Sequence, residues 1–249
     1  MSQGRRQLVC SIVQGSLLAS LLLLLPGCQS ITPNATYAQV RFIDASPDAP
    51  GLDIYQGATA QVYNMGFATI TSYVPVNQGT YAFYAKTAGT TQSLISTNGT
   101  MLNGHQYTVM VSNVSASLQM TIFTDRSSAA PSGQIALRVI NMDTSTGAFD
   151  VYIIPSGATL ETVSPILTNV AFNSISNYIN VPDQSYSVAI LPTGTVPTTT
   201  TVATYTGALT TYTAGSAHTL LILNQQIVTT PGAQVVTLDD YESPDAAVI

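Results

Sequence analysis

Two stretches decide the fold: NMGFATITSYVPV at residues 64–76 and NVAFNSISNYINV at residues 169–181. They align with an offset of 105, and Tyr81 and Tyr186 keep that offset. Upstream, VRFI (40–43) matches LRVI (137–140), and DIYQG (53–57) matches DVYII (150–154), both 97 residues apart. Downstream, YTVMV (107–111) matches HTLLI (218–222), and FTD (123–125) matches LDD (238–240). Offsets that grow in steps at turn-rich places are what loop insertions in a duplicated domain produce. Two copies exclude a long solenoid.

Each copy reads as all-β. Strand candidates alternate or run short and apolar over 38–45, 52–55, 70–76, 79–86, 106–112 and 118–125. Pro47, Pro50-Gly51, Asn77 to Gly79, Asn98-Gly99 and Asn103-Gly104 punctuate them as turns. Val, Ile, Thr and Tyr dominate the strands, as a pleated, half-buried surface favours. Six to eight short strands per copy predict two tandem Ig-like or prealbumin-like antiparallel β-sandwiches. The first spans 37–127 and the second, divergent copy 135–242. Residues 128–134, with Pro131, form the linker, and 243–249 a C-terminal tail.

Apolar residues make up 45% of the 249-residue chain, enough for a core, but only 7% are charged. The usual charged share is about 25%, so Ser, Thr, Asn, Gln and Gly must cover the surface. Such a chain is unlike a cytosolic enzyme and too apolar for intrinsic disorder. Six basic against twelve acidic residues leave no electrostatic footprint for nucleic acid.

The first thirty residues supply an address. Arg5 and Arg6 form a positive n-region, and an apolar run ending in five leucines (21–25) follows. That run is too short to span a bilayer comfortably but fits a secretory signal. It ends in Leu25-Pro26-Gly27-Cys28, which resembles the bacterial lipobox, with Pro26 the one departure. The resemblance implies cleavage after residue 27 and lipidation of Cys28. An ordinary signal peptide with Cys28 a bystander is the other reading. Cys10 lies in the signal, so Cys28 has no mature partner for a disulfide, and lipidation gives it a purpose. Residues 28–36 lack hydrophobic periodicity and read as a tether. The mature chain keeps four basic residues, Arg41, Lys86, Arg126 and Arg138, against twelve acidic ones. Gln29 rather than Asp after the lipidated Cys resembles the sorting signal for the outer membrane.

FIDASPDAPGLDIY (42–55) and FATITSYVPVNQGTYAFYA (67–85) resemble the DUF4397 domain. In that family a strand leads to His-Ala-Ser-Pro-Asp-Ala-Pro and then to an Asp-Val-Tyr strand; here Asp44 stands where the family often has His. The second copy replaces the Ala-Ser-Pro-Asp-Ala-Pro segment with residues 141–146, so only its framework is covered. The resemblance implies a secreted or surface-anchored β-sandwich in tandem copies and implies no known activity.

Catalytic motifs fail by absence: the chain has no Gly-x-Gly, Cys-x-x-Cys, His-Glu-x-x-His or Gly-x-Ser-x-Gly. The histidines, His105 and His218, are not at matching positions, and each reads as a strand-edge or turn residue. Asp44, Asp48 and Asp53 cluster within ten residues and are weak calcium candidates. The simpler account pairs Arg41 with Asp53 and Arg138 with Asp150 across adjacent strands. Tyr73, Tyr81, Tyr178 and Tyr186 recur at matching positions, which favours packing over sugar stacking. Asn34, Asn98 and Asn113 match the glycosylation acceptor pattern, which a bacterial lipobox renders accidental. The sequence thus predicts a non-enzymatic, lipid-anchored envelope protein of the outer membrane, with no cofactor and no catalytic or metal residues. It would act as a structural or protein-interaction module. A polysaccharide-binding module is the alternative, and a hydrolase built from aspartates at the domain junction a third.

Overall fold

A computed structural model of the chain describes residues 31–225 and 232–242. The expected signal segment, Cys28 and the 243–249 tail lie outside the described residues. The first half forms β1 (Ala38–Ala45), β2 (Leu52–Gln56), β3 (Thr59–Met65), β4 (Val74–Val76), β5 (Gly79–Thr87), β6 (Ser93–Met101), β7 (Gln106–Ser112) and β8 (Gln119–Asp125). The second forms β9 (Gln134–Asn141), β10 (Phe149–Pro155), β11 (Leu167–Val170), β12 (Ser174–Ile175), β13 (Ile179–Pro182), β14 (Ser185–Pro192), β15 (Tyr205–Thr206), β16 (Thr210–Thr211), β17 (Ala217–Asn224) and β18 (Ala233–Tyr241).

Each half is a sandwich, and the two have the same strand order. Sheets β4-β1-β7-β8 and β3-β2-β5-β6 enclose the first core, built around Val40, Phe42, Leu52, Ile54, Phe83 and Val109. In the second, β9 sits between β17, followed by β18, and the short β12 and β13. That sheet packs on β11-β10-β14-β15 around Leu137, Val139, Phe149, Val151, Ile190 and Leu220. Most ladders are antiparallel, but β1 pairs β7 and β9 pairs β17 in parallel.

The two sandwiches meet through the outer faces of β1-β7 and β9-β17, so four sheets stack in series. This explains why every residue of β7 is buried and all but one in β1 and in β17. In β1, Val40 and Phe42 face the sandwich core, while Ile43 and Ala45 face the partner sandwich with Met110, Ile140, Met142, Leu221 and Leu223. A strand buried on both faces reads as a near-continuous apolar run rather than an alternation. β5, in an outer sheet, has only Phe83 and Ala85 fully buried.

Two strands of the first sandwich, β3 and β6, were not legible as candidates. β6 carries Asn98-Gly99, expected as a turn, inside the strand. Close packing explains the glycine: a Cβ at Gly99 would sit 2.6 Å from Ile122 Cδ1 of β8. The candidate 70–76 shortens to β4, with Ile70 making a single bridge to Ile43.

Candidate functional site

The face between the sandwiches carries the densest chemistry in the molecule. Arg41 on β1 and Arg138 on β9 point out of their own cores into this face, where both are buried. Two carboxylates, Asp125 at the end of β8 and Asp240 near the end of β18, join them and are also buried. The arginines cross over: Arg41 Nη2 donates to Asp240 of the second sandwich. Arg138 Nη2 donates to Asp125 of the first at 2.6 Å. The remaining contacts close a ring, with Arg41 to Asp125 at 3.5 Å and Arg138 to Asp240 at 3.6 Å.

The surroundings satisfy the remaining polar valences in matching fashion. Arg41 Nε donates to Thr108 Oγ1 (2.7 Å), and Thr108 donates to Asp125 Oδ2 (2.6 Å). Arg138 Nε donates to Thr219 Oγ1 (3.0 Å), and Thr219 donates to Asp240 Oδ2 (2.5 Å). Tyr73 donates to Asp125 at 2.8 Å and Tyr178 to Asp240 at 2.7 Å. Each tyrosine ring also lies against a guanidinium, at 4.9 and 4.7 Å. Burial on its own would lower the Arg41 pKa, but Asp125 and Asp240 outweigh it and hold the group above its ordinary value. Burial, with Asp125 alongside, pushes the Tyr73 hydroxyl well above its usual range, so it remains a donor. Two cations and two anions make the cluster neutral, the condition under which buried charge is tolerated.

The expected pairs Arg41–Asp53 and Arg138–Asp150 are therefore not what the arginines make. β1 and β2 belong to opposite sheets, as do β9 and β10, so arginine and aspartate were never on adjacent strands. Asp53 instead accepts the backbone N–H groups of Asn64 (2.8 Å) and Gly89 (2.9 Å). Asp150 does the same for Asn169 and Gly194, at 2.8 and 2.9 Å. Both hold bends in which Asn64 and Asn169 take the left-handed conformation, with φ of 49° and 54°. Asp48 accepts from the Ser115 backbone and hydroxyl. The three aspartates thus serve different loops, and no cluster of acids, histidines or cysteines able to hold a metal occurs among the described residues.

Asp44 is the exception in this group. It is fully buried on the core side of β1, and its Oδ1 accepts Ser46 N–H at 2.9 Å. Its Oδ2 is buried without a partner. Burial pushes its carboxyl up to about 7, against the lowering effect of the Ser46 N–H. Asn141 occupies the matching place on β9, accepting Asp143 N–H at 2.9 Å and donating Nδ2 to the Val170 carbonyl at 2.8 Å.

A second unforeseen constellation joins the start of β17 to β18. Ser216 Oγ meets His218 Nε2 at 2.7 Å, and His218 Nδ1 meets Asp239 Oδ1 at 2.8 Å. The His218 hydrogen bond, outweighing burial, holds the Asp239 carboxyl below its usual range. These are the links of a nucleophile, base and orienting acid. Ser216, however, is only 1% exposed, and His218 is buried as well. The Ser216 hydroxyl and the imidazole are thus enclosed within the hydrogen-bond chain they form. His105, in contrast, is exposed in a turn beside Asn103.

A cleft of about 520 Å³ lies at the edge of the junction, lined among others by Ile31, Gln39, Thr71, Tyr73, Thr237 and Asp239. Its volume suits a small ligand. Tyr81 and Tyr186 do not reach it; their hydroxyls donate to the Asn77 and Pro182 carbonyls, each at 3.0 Å. Every residue of the arginine–aspartate ring falls within the repeat alignment, which by itself gives Asp125 and Asp240 no role. The matched FTD and LDD segments were the available signal. Ser216 and Asp239 had no counterpart in the first copy to draw attention to them.

Fold and site together define an all-β protein of two sandwiches locked face to face. The family described as a domain of unknown function, DUF4397, matches residues 38–152. That stretch covers the first sandwich, the connection, β9 and part of β10. No curated protein matches significantly. Among solved structures, the Bacillus anthracis TIE protein is similar at 10% identity and a TM-score of 0.25, over 76% of this chain. This chain spans 34% of the length of that protein. A streptococcal virulence factor described by its alpha-glucan binding is similar at 10% identity and a TM-score of 0.23, covering 62% of this chain and 80% of that one. The CBM26 module of Eubacterium rectale Amy13K, solved with maltoheptaose, is similar at 12% identity and a TM-score of 0.24, covering 84% and 100%.

Proposed function

We propose that this chain is a lipid-anchored, non-catalytic protein of the bacterial outer membrane, built as a tandem repeat that binds a partner rather than transforming one. The observation that carries the reading is where the reactive groups go. Arg41, Arg138, Asp125 and Asp240 are consumed in clamping the sandwiches together, and the Ser216–His218 pair is sealed. What remains for a partner is rigid surface and loops, the usual equipment of an interaction module. Cys28→Ala is expected to abolish acyl labelling and release the protein from membranes; unchanged fractionation would refute the anchor. A fluorophosphonate probe is expected to leave Ser216 unlabelled, and labelling abolished by Ser216→Ala would refute the non-catalytic assignment.

The cleft supports a second reading, a polysaccharide-binding module. Its amide and hydroxyl lining from Gln39, Thr71 and Thr237 offers the hydrogen-bonding chemistry of a sugar site. Against it, the prominently exposed tyrosines, Tyr37 and Tyr63, do not form a platform: Tyr63 is on β3 and Tyr37 precedes β1 in the opposite sheet. A glycan array run with the full-length protein in detergent separates the two readings. Binding weakened by Gln39→Ala or Thr237→Ala would favour the cleft.

A further inference from the structure

The short path from Cys28 to the folded body constrains how that body sits on a membrane. The expected tether runs to residue 36, but the structure pins it earlier. Ile31 carbonyl accepts the Glu242 N–H (2.9 Å), the Asn34 and Tyr37 carbonyls accept the Gly104 N–H (3.0 and 3.1 Å), and Gln39 N–H donates to the His105 carbonyl (3.0 Å). Only two residues, Gln29 and Ser30, separate Cys28 from Ile31. Fully extended, that span covers about 11 Å.

The pinned segment lies at one end of the molecule. β1 and β7 run parallel, as do β9 and β17. Across the face, Ile43 and Met110 pack with Ile140 and Leu221 beyond the arginine–aspartate ring, so all four strands point the same way. Their starts share one end with Val76, Leu102, Gly133 and Tyr241. Loops 46–51, 113–118, 143–148 and 193–204 lie at the other. Near the pinned chain two apolar side chains are exposed, Tyr37 at 40% and Leu102 at 43%, while the far-end loop 193–204 exposes Val196 and Val202 more fully, at 80% and 90%.

Resting on the lipid-anchor reading of Cys28, we infer that this strand-start end lies flat against the bilayer, with Tyr37 and Leu102 in the headgroup region. The far-end loops then project away from the membrane, roughly 25 Å further along the strands. Tyr is at home where an apolar body meets a wet surface. The same end carries Asp183, Asp239 and Glu242 against Arg126, which follows β8, so acidic groups outnumber this cation and attachment comes from the acyl chains and apolar contact rather than from anionic lipid.

The chain has no Trp, which makes the test direct. Tyr37→Trp, Leu102→Trp and, at the far end, Val196→Trp (80% exposed) each install a single emitter in the full lipidated protein. On phosphatidylcholine vesicles with brominated acyl chains, the first two are expected to shift to the blue and to be quenched several-fold more than the third. Adding anionic phosphatidylglycerol is expected to change neither. In the wild-type chain, vesicles are expected to slow hydrogen exchange at amides 102–105 but not at 113–118. Acylated Cys28 with equal quenching at all three positions and no exchange difference would overturn the orientation alone. Absence of acyl mass on Cys28 would overturn the anchor itself.

Discussion

The two sandwiches repeat each other closely at the face they share and diverge a few residues further along the same strands. At the face, Arg41, Thr108, Tyr73 and Asp125 are matched by Arg138, Thr219, Tyr178 and Asp240 with nearly the same hydrogen bonds. Three residues on from each arginine, Asp44 stands against Asn141. The amide of Asn141 has both an acceptor and a donor and uses both. A carboxylate has only acceptors, and Asp44 Oδ2 finds no donor. A protonated carboxyl offers the same pair of functions as an amide. The face joining the copies keeps arginine, threonine, tyrosine and aspartate in both, whereas the core position holds an acid in one copy and an amide in the other.

Breaking the shared lattice should have the largest effect. Asp240→Ala leaves Arg41 and Arg138 buried beside a single carboxylate, and Asp125→Ala does the same from the other side. Removing one partner of a buried ion pair costs about 3–5 kcal/mol, so either variant should unfold at markedly lower denaturant. Because each aspartate bonds the arginine of the opposite sandwich, the loss should also appear as uncoupling, with two unfolding transitions replacing one. A single unshifted transition would show that the apolar contacts around Ile43, Met110, Ile140 and Leu221 suffice to join the halves.

The divergent position sets the next effect, through pH. Folding raises the Asp44 carboxyl from its ordinary value of 3.8 to about 7. Between these values the folded chain keeps a proton that the unfolded chain has released. The stabilisation is therefore complete below about pH 4 and is lost as pH rises through about 7. Its size is on the order of 4 kcal/mol. Asp44→Asn should remove this dependence and make the protein more stable than wild type at pH 8. Parallel stability profiles for variant and wild type would show that Asp44 is ionised in the fold.

Much of this architecture was legible because strand patterning and repetition are local signals. The repeat alignment located β1, β2, β5, β7 and β8 together with several of their counterparts, and it aligned every residue of the lattice. What it could not show was which carboxylate each arginine meets. Arg41 and Asp53 are near in sequence but lie in opposite sheets, while Arg41 and Asp240 are 199 residues apart and in contact. Partnership across a packed face depends on how two sandwiches dock, and no periodicity encodes it. The misread Asn98-Gly99 has the same origin. Turn chemistry argues for a bend, but the space beneath Ile122 is decided by a strand of the other sheet. Gly99→Ala tests this: with 2.6 Å to Ile122 Cδ1, overpacking should cost about 1–3 kcal/mol. Ile122→Val in the same chain should recover part of the loss.

The smallest effect should come from the chain found only in the second sandwich. Where His218 stands on β17, the first sandwich has Tyr107 on β7, whose hydroxyl accepts the Leu102 N–H at 3.1 Å. The two side chains perform one service, anchoring the start of the strand to its surroundings, by different chemistry. His218 uses both ring nitrogens, one toward Ser216 and one toward Asp239, and its ring also packs edge-on against Tyr212 at 4.9 Å. Ser216→Ala removes one hydrogen bond and leaves one imidazole nitrogen buried without a partner. A net loss of about 1 kcal/mol is expected, read as a small drop in denaturation midpoint. If instead Ser216→Ala and His218→Phe were both neutral, the ring would be held by packing against Tyr212 alone, and the resemblance of this array to a catalytic relay would be geometric coincidence.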